Sequence, residues 1–240
     1  MKHTKDIFDT RIGVVGAGSW GTALANLLAE KGYFVDFWAF EPEVTEQIRL
    51  NRENKMFLPG HRLSTNLNPS SDLETVVAQK DFVLVVVPSH LMRMITLNMA
   101  PHLAVDTMVV SASKGIENKT HLTMSGILAQ TLGEVVTGGF AALSGPTFAK
   151  EVADRVPSVI TAASADPAVA KFVQHLFSTP YFRVYTNEDV IGVELGGSIK
   201  NVIAIAAGIV DGLGLGLNTR AALITRGLTE IRRLGLKLGA

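Results

Sequence analysis

Residues 16–21 of the chain read Gly-Ala-Gly-Ser-Trp-Gly, and no other feature of the sequence restricts its fold as tightly. The string follows the apolar run Ile12–Val15 and opens into the helix formers Thr22-Ala23-Leu24-Ala25. Three glycines at that spacing, between a strand and a helix, have separate physical tasks. Gly16 permits a tight turn, Gly18 lets the backbone approach a pyrophosphate, and Gly21 lets the helix pack closely on the strand. The helix start then offers unpaired N–H groups and the positive end of its dipole to an anion. Context lifts the motif above an ordinary glycine-rich turn. A second string, Gly212-Leu213-Gly214-Leu215-Gly216, follows helix-like sequence instead of a strand and reads as a loop between helices.

The rest of the chain supplies the sheet that such a loop needs. Strand-like segments stand at Ile12–Val15, Phe34–Trp38, Phe82–Val87, Met108–Ser111, Phe140–Leu143, Ser158–Thr161 and Phe182–Tyr185. Several are continuous apolar runs, as expected of strands covered on both faces. Helical patterns intervene, among them Trp20–Lys31, Glu43–Asn51, Leu73–Gln79 and Ala168–Phe177, with Gly32 where a helix end favours a left-handed residue. This alternation predicts an α/β, Rossmann-type, doubly wound and mainly parallel sheet. After about Glu188 the texture changes to helices alone, Val190–Val210 and Ala221–Leu236. The expected division is a dinucleotide-binding domain over 1–189 and the start of an all-helical domain over 190–240.

Composition removes several functional classes. Twenty-two basic residues balance twenty-two acidic ones, so the basic surplus of a general nucleic-acid binder is missing. Arg226, Arg232, Arg233 and Lys237 share a helical pattern with Glu230 and read as a solvated face. There is no cysteine, which excludes disulfides, cysteine metal sites and a cysteine nucleophile. His3, His61, His90, His102, His121 and His175 are isolated and form no metal-ligand pattern. The first ten residues lack the apolar core of a signal peptide, and the run Phe82–Val87 is too short to cross a bilayer. A soluble cytoplasmic protein without membrane insertion is the expectation.

Candidate chemistry gathers at strand ends. Strand two ends Trp38-Ala39-Phe40-Glu41-Pro42. An acid there binds a ribose 2′-hydroxyl, whereas a base would accommodate a 2′-phosphate, so Glu41 favours NAD over NADP. Glu41 also suits the first turn of the helix that follows. Val87-Pro88-Ser89, Ser111-Ala112-Ser113-Lys114 and Ser144-Gly145-Pro146-Thr147 close three successive strands, where open parallel sheets hold ligands. Lys200 is the sole charge between Glu194 and Asp211. A lysine in such surroundings either is partly desolvated, which suits it to proton transfer, or snorkels out of its helix.

Taken in order, the motifs resemble one family. They are Gly-Ala-Gly-Ser-Trp-Gly-Thr-Ala-Leu-Ala at 16–25, Phe-Leu-Pro-Gly at 57–60, Val-Pro-Ser at 87–89 and Ser-Ala-Ser-Lys-Gly-Ile at 111–116. Ser-Gly-Pro-Thr-Phe-Ala at 144–149, Lys-Asn-Val-Ile-Ala-Ile-Ala-Ala-Gly at 200–208 and Asn-Thr-Arg-Ala-Ala-Leu-Ile-Thr-Arg-Gly at 218–227 complete the set. Nearly the whole chain is similar to the bacterial NAD(P)-dependent glycerol-3-phosphate dehydrogenases. The resemblance implies interconversion of sn-glycerol 3-phosphate and dihydroxyacetone phosphate, a phosphorylated triose, for phospholipid synthesis, by a cytoplasmic homodimer. It implies that Ser19, Trp20, Phe40, Phe57, Lys114 and Ala149 contact the cofactor. By the same analogy Lys114, Gly145, Thr147 and Lys200 meet the substrate, with Lys200 the proton acceptor and Lys114 stabilising the developing alkoxide.

The chain departs from the family pattern in two respects. Members often carry a base where Phe40 and Glu41 stand. A Gly-Asp-Leu segment and the Ser-Arg-Asn motif that grips the substrate phosphate do not occur among the 240 residues. Without that arginine a dianionic phosphate loses charge-assisted hydrogen bonds of about 1.5–3 kcal/mol each. The expectation is a chain that binds dinucleotide but turns over poorly, with apolar surface left exposed on its helices. The rival readings are another dehydrogenase of hydroxy acids or sugar acids, and a non-catalytic dinucleotide-binding module.

Overall fold

The computed structural model describes residues 9–240; the first eight, His3 among them, lie outside the described residues. Eight strands form one sheet: β1 (Ile12–Val15), β2 (Val35–Trp38), β3 (Leu67–Ser70), β4 (Phe82–Val85), β5 (Met108–Ser111), β6 (Phe140–Ser144), β7 (Ser158–Ala163) and β8 (Phe182–Asn187). Their order across the sheet is β3-β2-β1-β4-β5-β6-β7-β8. Every neighbouring pair is parallel except β6 with β7, which is antiparallel. The mainly parallel, doubly wound sheet expected from the alternation is present.

Apolar runs become central strands because each alternate residue feeds a different core. Ile12 and Val14, Phe82 and Leu84, and Val110 join one buried cluster. Val15, Val83, Val85 and Val109, their neighbours in sequence, join the other. The first cluster takes its helical half from α1 (Ser19–Glu30), through Leu24, Leu27 and Leu28. It also draws on α2 (Pro42–Asn51), α6 (Ala149–Ala153) and α7 (Pro167–Phe177). The second draws on α3 (Leu73–Val77), α4 (Met92–Met99) and α5 (Met124–Leu132).

Beyond the sheet stand two 23-residue helices, α8 (Val190–Gly212) and α9 (Gly216–Leu238), which pack on each other. The turn between them uses Gly214 at φ +65° and Gly216 at φ +81°, so the second glycine string is a helix-connecting loop. On α9, Glu230 pairs with Arg226 at 2.5 Å and Arg233 at 3.2 Å, all exposed. By length and composition α8 is apolar enough to cross a bilayer, which the argument from the short run Phe82–Val87 overlooks. In the fold it packs instead on α9 and β6 and buries Glu194. Val202, Ile205, Ile209, Leu213, Leu217 and Leu228 of this helical pair are exposed.

The order of strands puts a switch point between β1 and β4, where the chain leaves one half of the sheet for the other. The glycine loop sits there. Gly16 adopts φ +117°, and a Cβ on it would overlap the Val86 carbonyl oxygen. A Cβ on Gly21 would overlap the carbonyl oxygen of Gly16 itself. Gly18 is different, because a Cβ there would meet nothing within 4 Å. Gly21→Ala is therefore expected to lower stability by roughly 3 kcal/mol, an overpacking cost. Gly18→Ala should cost only about 1 kcal/mol, through a poorer helix cap. Thermal melts of the two variants check the contrast.

Candidate functional site

The space above Gly18 opens into a cavity of about 350 Å³ at the carboxyl ends of β1, β4 and β5. Gly18, Ser19, Trp20 and Gly21 form one wall, Val86, Val87, Ala112, Ser113 and Lys114 the next, and Thr147, Phe148 and Ala149 the third. The start of α1 faces this space without any internal anion: Gly18 supplies no side-chain cap and the first turn has no acidic residue. Unpaired N–H groups at a helix start, aligned with the dipole and left uncapped, favour a phosphate. The orphaned polar atoms near the cavity point the same way. The Trp20 Nε1 and Thr147 Oγ1 are buried without a hydrogen-bond partner. These residues fit a dinucleotide pyrophosphate.

The loop is braced from below by a residue that sequence reasoning did not single out. Asn54 is fully buried and donates to the Ala17 carbonyl at 2.9 Å and to Thr22 Oγ1 at 2.8 Å. Its Oδ1 accepts the Phe57 N–H at 3.1 Å, which holds the Phe-Leu-Pro-Gly segment beside the glycine turn. Ser113 makes a comparable tie, accepting the Val87 N–H through its hydroxyl at 2.9 Å and so joining two strand ends. Gly16, Phe40, Glu41 and Phe57 do not line the cavity. Gly16 lies buried beneath it. Phe40 is 73% exposed and packs edge-on to Trp38 just beyond β2. Glu41 occupies the cap position of α2, yet its side chain makes no capping bond, so its carboxylate is not consumed by the helix.

Lys114 stands at the centre. Its Nζ donates to the Gly145 carbonyl at 3.2 Å and lies 5.8 Å from the centroid of the Trp20 ring. Burial, with the nearby Lys200 charge second, pushes its pKa down to about 8. Lys200 approaches from α8, half-buried, with Nζ 5.8 Å from the Phe148 ring centroid. It lines a second cavity of about 220 Å³ with Ser144, Gly145, Pro146, Thr161 and, on α8, Gly192, Val193, Gly196 and Gly197. Gly145 lines this second cavity with Lys200 and accepts the hydrogen bond of Lys114, which lines the first. Gly197 gives the closest approach of α8: a Cβ there would overlap Ser144 Oγ and come within 4.0 Å of Lys114 Cγ. Ser144 Oγ is itself buried and unpartnered. Among the described residues no group of three metal-ligating side chains stands together.

The site is thus one cradle for an anion, lined by Lys114, and a neighbouring space lined by Lys200. Charge burial has a stability consequence with a defined sign. Below pH 8 Lys114 is charged in both the folded and the unfolded chain, and its partial burial costs stability. Between about 8 and 10.5 the unfolded chain keeps a proton that the folded chain sheds, so this penalty fades as pH rises. Lys114→Met is expected to melt at higher temperature than the parent at neutral pH. That advantage should shrink as pH is raised from about 8 toward 10.5 in the same calorimetric series.

Comparison with known proteins bears on what occupies such a site. The family described as NAD-dependent glycerol-3-phosphate dehydrogenase N-terminus matches residues 11–170, and its C-terminus counterpart matches residues 189–240. A glycerol-3-phosphate dehydrogenase (NAD(P)+) of Geobacter sulfurreducens is 56% identical over 96% of this chain and 69% of its own length. The crystal structure of glycerol-3-phosphate dehydrogenase from Coxiella burnetii superposes with a TM-score of 0.89. It is 39% identical and covers 97% of this chain and 70% of the other. The yeast enzyme from Saccharomyces cerevisiae gives 0.81 at 34% identity, covering 94% of this chain and 70% of its own.

Proposed function

The chain belongs to the NAD-dependent glycerol-3-phosphate dehydrogenase family, and from that premise we propose how its own residues interconvert sn-glycerol 3-phosphate and dihydroxyacetone phosphate. The observation that carries the reading is Gly145, which accepts the Lys114 bond and lines a cavity with Lys200, beside an uncapped α1 over open Gly18. A bound nicotinamide dinucleotide supplies or accepts the hydride. Its pyrophosphate would rest on the amides of Ser19 and Trp20, with Phe57, Lys114 and Ala149 bordering the rest. As C2 of the ketone gains hydride, its π electrons pass to oxygen, and Lys200 delivers the proton that makes the alcohol. Lys114 holds the developing negative charge meanwhile, aided by the low dielectric of its half-buried position. In oxidation the same proton returns to Lys200. Gly145 and Thr147 line the substrate's space. A module without catalysis would have no use for two lysines lining adjoining cavities and close enough for one charge to depress the pKa of the other.

The cofactor is NAD or NADP, and Glu41 argues for NAD. A carboxylate free of capping duty at the end of β2 suits a ribose hydroxyl and opposes a 2′-phosphate. The resemblance carries with it a cytoplasmic homodimer, with residues 1–189 as the dinucleotide domain and 190–240 as helical substrate-facing sequence.

Two measurements test this assignment. Titration calorimetry should find NADH bound at least about tenfold more tightly than NADPH, a difference near 1.4 kcal/mol, and Glu41→Arg should reverse the order. With NADH and dihydroxyacetone phosphate, Lys200→Met should lower kcat by about 10²–10⁴ while leaving the NADH Kd unchanged. Equal turnover in that variant would remove Lys200 from the chemistry.

A further inference from the structure

Glu194 is the one charged residue that is fully buried among the described residues, and the chemistry above does not use it. No basic side chain pairs with it among the described residues. Its carboxylate instead accepts the Ser125 N–H at 2.8 Å and the Ser125 hydroxyl at 2.5 Å. Ser125 lies in the first turn of α5, two residues after the capping residue Thr123. The carboxylate therefore takes an amide that a helix start leaves orphaned, on an element of the sheet domain. Burial raises its pKa, and the bonds from Ser125 and Thr123 oppose that rise.

One turn further along α8 the same connection continues. Ser198 donates its hydroxyl to the Glu194 carbonyl at 2.8 Å and accepts the Gly115 N–H at 3.0 Å. Gly115 follows Lys114 directly, and Lys200 follows Ser198 by two residues. Between Glu194 and Lys200 lies Gly197, whose missing side chain lets α8 touch Ser144 and Lys114. The neighbouring surface of α8 is mostly glycine, alanine and aliphatic, and apolar contacts are non-directional. A helix held by them alone has little to fix its rotation and its position along its axis. Hydrogen bonds to a charged group are directional, and breaking a buried one leaves an uncompensated charge.

We propose that Glu194, clasped by Ser125 at the start of α5 and continued through Ser198, is a positioning residue that sets where α8 holds Lys200 relative to Lys114. The inference rests on reading both lysines as the substrate-facing pair, but its test does not require turnover. Lys114 reports the geometry itself, because part of its depressed pKa comes from Lys200.

The experiment follows the pH dependence of Lys114 acylation by mass spectrometry in the 240-residue chain. Parent, Lys200→Met, Glu194→Gln, Ser125→Ala and Ser198→Ala proteins are compared, with folding checked by circular dichroism. In the parent Lys114 should titrate near 8. Removing the Lys200 charge should move the midpoint upward, toward 10.5. Glu194→Gln and Ser125→Ala should move it upward too, as α8 shifts and the two ammonium groups separate. Mere loss of the Glu194 charge would act in the opposite direction, since removing a nearby anion lowers a lysine's pKa. A midpoint that stays at the parent value or falls in these two variants overturns the proposal. Should Glu194→Gln fail to fold, Ser125→Ala decides, because it keeps the carboxylate and removes one bond. Ser198→Ala should give a smaller upward shift. Absence of NADH binding in the parent chain would count against the dehydrogenase reading and leave the positioning result standing.

Discussion

The contact on which the rest depends is the close approach of two backbones at the switch point of the sheet. Gly16 lies against the Val86 carbonyl, and Gly21 lies against the carbonyl of Gly16, with no room for a methyl group at either place. That contact lets α1 start directly over the end of β1, beside β4, so its free N–H groups face the crevice between the two halves of the sheet. Everything else in the site is referred to that origin. The strand ends of β4, β5 and β6 deliver Val87, Ser113 and Ser144 around it because their register with β1 is fixed residue by residue. Asn54 then locks the loop from beneath through Ala17 and Thr22.

Much of this was legible because the controlling signals are local. Seven of the eight strands announce themselves as strand-like segments, several of them continuous apolar runs, and the glycine spacing states its own geometry. β3 does not: its sequence is Leu-Asn-Pro-Ser, with a proline and no apolar run. It can be a strand because it lies at the sheet's edge and pairs only with β2, where a missing N–H is tolerated. The antiparallel placement of β7 was equally hidden, since direction is set by how the chain returns and not by residue pattern. Helices α4 and α5 carry short apolar stripes, Met92-Ile95-Met99 and Met124-Ile127-Leu128-Leu132, that join the second core cluster with the residues of β4 and β5.

The candidate site divides along the same line. Strand-end residues such as Lys114, Gly145 and Thr147 can be found by asking where a parallel sheet stops. The bracing residues cannot, because their partners are distant in sequence: Asn54 and Ala17 are 37 residues apart, and Glu194 and Ser125 are 69 apart. A buried asparagine and a buried glutamate look, in one dimension, like any surface polar residue. From the residues alone Lys200 reads as either a desolvated or a snorkelling lysine and Lys114 as a strand-end residue at a ligand crevice, and the family resemblance gives Lys114 its place at the developing alkoxide. In the fold burial pushes the Lys114 pKa down to about 8, its ammonium being close to the Trp20 ring and bonded to the Gly145 carbonyl.

Two neighbouring ammonium groups are an expensive arrangement in a chain whose formal charges otherwise cancel. Like charges disfavour each other, and burial adds to the cost. The Gly145 carbonyl and the Trp20 and Phe148 rings relieve it only in part, and no acidic side chain is among the residues lining either cavity. The acid nearest in sequence to Lys200 on its own helix, Glu194, turns its carboxylate away into the start of α5. Adding the uncapped amides of α1 gives a region whose fixed charges and dipoles are of one sign. Such a site is unstable by itself and complementary to a ligand that brings negative charge, which is the condition under which stability is given up at a functional position. The dinucleotide pyrophosphate and a phosphorylated triose both meet it. So would the negative charge that develops on the C2 oxygen of that triose as the carbon gains hydride.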